Sequence, residues 1–174
     1  MTPFNLLHSN QMMDWVTLLY GMEEGYLTLS DINNYAQDLL ASTERENADF
    51  YTISLIASSQ DWTEIKDLIK QISKTKLEKQ KEQQMALKKW QFAFLKNTVD
   101  SISLTDEDKI EKIQYLYSEF LYPENMRYCS IYAQNNTAPI IEECKKVVHQ
   151  LDKEINNPAA SGRGITGRKN TALS

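Results

Sequence analysis

MALKKWQFAFLKNTVDSI, residues 85–102, carries Leu87, Trp90, Phe94, Leu95, Thr98 and Ile102 at intervals of mostly three and four. That spacing lays one apolar stripe along a helix, whereas a strand would alternate apolar and polar residues. Neither Gly nor Pro interrupts the stretch. Just before it, KTKLEKQKEQQ (residues 74–84) holds a single apolar side chain, Leu77. It reads either as a solvated helix or as a linker between two halves. Lys, Glu, Gln and Leu all favour helix, so the reading is one long helix running into the stripe.

The same period recurs on both sides. Trp15, Leu18, Leu19 and Met22 form one stripe, ending at Gly25. Ile32, Tyr35, Ala36, Leu39 and Leu40 form the next, and Phe50, Ile53 and Ala57 a third, widened by Tyr51, Leu55 and Ile56. A fourth is Ile65, Leu68, Ile69 and Ile72. Beyond the central stretch, Ile110, Ile113, Leu116, Tyr117, Phe120 and Leu121 predict a helix that stops before Pro123, because the residue preceding a proline is pushed out of the helical region. Pro123 is expected to open another helix with Met126, Cys129, Tyr132 and Ala133 inward, broken by Asn135-Asn136. Thr137 and Pro139 then start the last helix, with Ile140, Ile141, Cys144, Val147, Val148, Leu151 and Ile155.

Start signals stand before several stripes. Thr28-x-x-Asp31, Thr43-x-x-Glu46, Asp61-x-x-Glu64 and Thr105-x-x-Asp108 each place a capping side chain three residues ahead of an acid. The first side chain accepts from a free backbone N–H, and the acid suits the positive helix end. The chain has five Gly and four Pro, and Pro3, Pro158, Gly162, Gly164 and Gly167 lie near its ends. The interior therefore has few breakers. The expected fold is all-α: about eight helices in successive antiparallel hairpins, as a single domain over residues 1–156. Residues 157–174 read as a flexible, basic, Gly-rich tail.

Motifs that carry chemistry are scarce. Gly162-x-Gly164-x-x-Gly167 matches the dinucleotide fingerprint formally, but that motif needs a strand before it and a helix after it, and the pattern supplies neither. His8 and His149 lack partners at a metal-binding spacing, so neither a metal nor a cofactor is expected. Cys129 and Cys144 lie far apart in sequence on apolar faces and read as buried thiols. Glu23-Glu24 and Glu142-Glu143 are adjacent and point apart on a helix, unlike an acid–base pair. The reading is of a protein that is not an enzyme. Aromatics from Trp90 to Tyr132 are dense, yet their helical spacing and the net charge of −5 favour a core with a Tyr rim over a platform for bases. No apolar run is long enough to cross a membrane. The first residues lack the basic flank of a secretory leader, so the cytoplasm is the expected location and the Asn135-Asn136-Thr137 sequon has no consequence.

Charge is unevenly spread. Residues 1–62 hold nine acids and one base, Arg45, for a net −8; residues 63–100 are +4, residues 101–156 are −4, and the tail is +3. Glu23, Glu24, Asp31, Asp38, Glu44, Glu46 and Asp49 fall off the apolar stripes and are expected to form a face that draws a basic protein and repels nucleic acid. The Lys-rich stretch 66–89 and the Tyr-rich stretch from Tyr122 to Tyr132 are the competing surfaces.

Lys89-Trp90-Gln91-Phe92-Ala93-Phe94-Leu95, Tyr115-Leu116-Tyr117-Ser118-Glu119-Phe120 and Tyr122-Pro123-Glu124-Asn125-Met126-Arg127-Tyr128-Cys129-Ser130-Ile131-Tyr132 resemble a bacterial family of unassigned biochemical function. Trp15-Val16-Thr17-Leu18 with Gly21, then Asp31-Ile32 and Tyr35-Ala36, are similar too, so the resemblance covers most of residues 10–135. The resemblance implies Gly more often where this chain has Leu121. Its members are often immunity proteins of polymorphic and contact-dependent growth inhibition toxin systems. Each binds the toxic C-terminal domain made beside it, frequently a nuclease. The resemblance implies a basic toxin domain as partner and carries no catalytic residues. A helical adaptor with a different partner is the alternative, separable by whether a large toxin gene lies immediately upstream.

Overall fold

The computed structural model describes residues 1–73, 80–133 and 138–157. The readings made for residues 74–79, for Asn135-Asn136-Thr137 and for the tail beyond residue 157 lie outside these, as does the glycine triplet. The described chain has no strand. Its α-helices are α1 (Pro3–Ser9), α2 (Trp15–Glu23), α3 (Leu29–Ser42), α4 (Phe50–Ser58), α5 (Trp62–Ser73), α6 (Gln80–Val99), α7 (Asp106–Glu119) and α8 (Ile140–Asn156), with a 3-10 helix at Glu124–Cys129. The all-α class is as expected. Helix α1 was not foreseen; Thr2 opens it, its hydroxyl accepting from Asn5 N at 3.2 Å.

Local chemistry explains most boundaries. Thr28 and Asp31 form a reciprocal capping box at α3, and Thr105 and Asp108 do the same at α7. Asp61 Oδ1 accepts from Glu64 N at 2.8 Å at the start of α5. Thr43 is a correction. It ends α3, its hydroxyl donating to Leu39 O at 2.7 Å, and α4 begins only after Asp49, which makes no capping bond. A threonine near a helix end can satisfy either a free N–H or a free carbonyl, and the spacing to Glu46 does not say which.

Helix α3 packs on α4, α4 on α5, and α5 back on α2, while α6 touches α1, α2, α7 and α8. This central place explains why α6 is more buried than one stripe predicts. Trp90, Leu95 and Thr98 are buried as expected, but so are Gln91, Phe92, Ala93 and Val99 on other faces. Enclosure by α1, α2, α7 and α8 leaves little of the stretch from Trp90 to Val99 open to water, so residues on several of its faces are buried. Ile102 is not in the stripe: α6 ends at Val99, and Ile102 is fully exposed. Tyr51 is likewise exposed, leaving Ile53 and Ile56 as the buried residues of α4. Asn33 is buried and donates to the carbonyls of Ile56 (2.7 Å) and Ser59 (3.1 Å), tying α3 to the end of α4.

The expected helix after Pro123 is instead one short 3-10 helix. With three residues per turn it brings Met126 and Cys129 inward, both fully buried. It stops before a further turn, so Tyr132 is 85% exposed rather than inward. Gln114 holds this strap to α7: its amide donates to Cys129 O at 2.7 Å and its oxygen accepts from Ile131 N at 2.9 Å. The two cysteines, distant in sequence, meet here. Both are free and fully buried, and the neighbouring Cys129 together with burial pushes the Cys144 thiol well above its ordinary pKa.

The end of α7 explains why a glycine is expected where this chain has Leu121. Tyr122 N donates to Tyr117 O (2.8 Å) and Leu121 N to Ser118 O (3.0 Å), the paired bonds of a Schellman turn. Leu121 sits at its left-handed position, with φ 58°. Glycine adopts that conformation without the strain a Cβ brings, roughly 1 kcal/mol. Leu121 is largely exposed and has little packing to lose. Leu121→Gly is therefore expected to stabilise the fold by about 1 kcal/mol in urea titrations, while Leu121→Ala gives no comparable gain. Equal midpoints for the two variants would place the effect elsewhere.

Candidate functional site

Six of the seven carboxylates proposed from sequence are exposed, and Asp31 is half-buried. Glu23 and Glu24 lie at the C-terminal end of α2, Asp31 and Asp38 on α3, and Glu44, Glu46 and Asp49 on the turn from α3 to α4. Helix α3 has 14 residues, a span of about 21 Å at 1.5 Å per residue. The acids are thus strung along this helix and its ends rather than gathered in one spot. Glu23, Glu24 and Glu44 sit at or just past helix C-termini, where the macrodipole disfavours negative charge.

Packing changes which of them remain free. Lys66 of α5 reaches Glu23 at 3.0 Å, and His8 Nε2 of α1 lies 3.4 Å from Asp38. Arg45 is therefore not the sole compensating group. Asp31 is engaged in its capping box, accepting from the backbone and hydroxyl of Thr28. Glu24, Glu44, Glu46 and Asp49 make no ion pair among the described residues.

The competing surfaces look different in three dimensions. In the Lys-rich stretch, Lys66 binds Glu23, Lys88 binds Glu154 at 2.8 Å and Lys89 binds Asp14 at 2.6 Å. These lysines fasten helices together. Tyr122, Tyr128 and Tyr132 are exposed at the rim, with Leu121 and Ile131 beside them in sequence.

A groove that sequence reading missed lies between the α2–α3 turn, α6 and α7. It encloses about 390 Å³ and is lined by Glu24, Gly25, Tyr26, Phe94, Tyr115, Leu116, Glu119 and Phe120. Tyr26 is locked in place, its ring 4.9 Å from Phe94 and 5.4 Å from Trp90. Burial, then the neighbouring Tyr20, Glu24, Glu119 and Tyr115, push the Tyr26 phenol well above its ordinary pKa. The Glu119 carboxylate, one helical turn away, raises Tyr115 as well. Both phenols stay neutral at physiological pH. The one available signal was Tyr115, a large aromatic off the Ile113–Leu116–Phe120 stripe and four residues before an acid.

No cluster of His, Cys, Asp or Glu able to hold a metal occurs among the described residues, and no helix among them is long and apolar enough to cross a membrane. No curated protein and no solved structure matches the chain. Residues 4–158 match the family described as an uncharacterized protein conserved in bacteria (DUF2247), and the chain belongs to that family.

Proposed function

We propose that this chain is an immunity protein, which binds and neutralises the toxic C-terminal domain of a contact-dependent growth inhibition or related polymorphic toxin. The supporting observation is the run of exposed carboxylates on α2, α3 and the turn after α3, of which Glu24, Glu44, Glu46 and Asp49 have no cation among the described residues. Glu24 and Glu44 sit against a helix dipole, so the fold gains nothing from these two locally. The carboxylates' shared sign along this side of the chain suits a basic partner such as a nuclease domain, which carries positive charge to hold phosphate. Neutralisation would follow from occlusion of the toxin's active site, with affinity from a few buried anchors and association speed from charge.

The test is whether a large toxin gene lies immediately upstream, then co-expression with the C-terminal domain it encodes, followed by binding kinetics. Cells are expected to survive, and toxicity that persists despite soluble protein refutes the reading. Lys substitutions at Glu24, Glu44 and Glu46 are expected to slow association about tenfold at low salt and little at high salt, where screening shortens to a few ångströms. Association at the wild-type rate in both conditions would move the interface to another face.

A further inference from the structure

We propose that the groove between the α2–α3 turn and α7 seats one arginine side chain of the basic partner, held by Glu24 and Glu119 and stacked against Tyr26 and Tyr115. This rests on the reading of the partner as a basic protein and names the contact.

Three observations carry it. The groove is preformed: about 390 Å³ falls in the range of clefts that take small ligands, and Tyr26 is fixed by Phe94 and Trp90. A rigid wall lowers the ordering cost of binding. Gly25, at φ 74°, has nothing within 4 Å of where a Cβ would stand, so that rim is open. Next, the groove carries two carboxylates and no basic side chain. Neither Glu24 nor Glu119 is in an ion pair among the described residues; Glu119 is engaged by the Tyr115 phenol, a neutral group, so both carboxylates keep their charge available to a cation.

Aromatic walls then select among cations. A guanidinium is planar, weakly hydrated and able to lie on a ring while its N–H groups reach carboxylates at its edges. An ammonium is a compact, strongly hydrated point charge that uses the rings less well. Phosphate and nucleic acid are repelled by the same two glutamates.

The probe is the blocked tripeptide acetyl-Gly-Arg-Gly-amide, titrated into the full chain while the backbone amide signals of Gly25, Tyr26 and Tyr115 are followed by NMR. Saturable shifts confined to these positions are expected. The lysine analogue should bind about fivefold more weakly, and the uncharged citrulline analogue should leave the signals in place. Glu24→Gln and Glu119→Gln should each weaken arginine-peptide binding about fivefold with the overall spectrum unchanged. Equal responses to all three peptides, or shifts located elsewhere, overturn the assignment. Glu119 lies outside the acidic face, so it also separates the two readings. If the toxin domain binds wild type and Glu119→Gln equally well, the groove is refuted and the immunity reading stands. If the arginine peptide seats as expected but the toxin domain does not bind, the groove stands and the immunity reading fails.

Discussion

Gly21→Ala is expected to destabilise the protein by about 3 kcal/mol, an overpacking cost that lowers Tm by roughly 6–12 °C. In an isolated helix this substitution would stabilise, by about 1 kcal/mol. Here the sign reverses because α2 and α6 touch at this glycine. A Cβ on Gly21 would lie 2.3 Å from Trp90 Cζ2 and 2.6 Å from Trp90 Cε2, well inside the 3.5–4.0 Å optimum for carbon. The indole cannot yield. Trp90 is fully buried, its Nε1 donates to Thr17 O at 2.8 Å, and Tyr26 and Phe94 pack around it. Thermal and urea unfolding measure the effect. A double-mutant cycle with Trp90→Phe checks its cause: the smaller ring should relieve the clash, with a coupling of at least about 1 kcal/mol. Strict additivity would mean that the contact with Trp90 is not the source.

Asp14→Ala is expected to cost about 2 kcal/mol, through two roles held by one carboxylate. Asp14 caps α2, its Oδ1 accepting from Thr17 N at 2.8 Å, and its Oδ2 accepts from Lys89 Nζ at 2.6 Å across 75 residues of chain. Loss of the cap accounts for about 1 kcal/mol. The rest comes from Lys89, whose side chain is only 12% exposed and would lose its counter-ion. Breaking a fully buried pair costs more, about 3–5 kcal/mol, but Asp14 itself is 43% exposed and screened by water. Asp14→Asn keeps an oxygen for the cap and should lose only the second part.

The pH dependence follows from the same geometry. Burial alone would raise the Asp14 pKa, but the hydrogen bond and charge of Lys89 and the N–H of Thr17 outweigh it, leaving the carboxyl below its ordinary 3.8. A carboxyl lowered by folding stabilises the folded state above its unfolded pKa, and that stability is lost as pH falls through the folded value. The stability gap between wild type and Asp14→Asn should be full near neutrality and shrink below about pH 4. Glu154, lowered chiefly by its hydrogen bond to Lys88, works in the same direction. A gap that is unchanged at pH 3 would show that the ion pair with Lys89 contributes nothing.

The helical class and most helix positions are legible in the residues alone, because the physics behind them acts within about one turn. Periodicity placed Ile32, Tyr35 and Ala36 on the buried side of α3, and the boxes Thr28–Asp31 and Thr105–Asp108 closed over three residues. That the seven acids avoid the core was also legible, since all fall off the apolar stripes. Other features needed the tertiary structure. Thr43 was ambiguous until the end of α3 was known, and Leu121 took its left-handed turn only because the chain must leave α7 for the strap that Gln114 holds. The burial of α6 on several faces, the approach of Trp90 to Gly21 and the meeting of Cys129 with Cys144 depend on which helices become neighbours. An apolar stripe says that a face will be covered and not by what. For the same reason the sequence could not tell that Lys66 and His8 would approach Glu23 and Asp38, or that Glu24 and Glu119 would line one groove with aromatic rings.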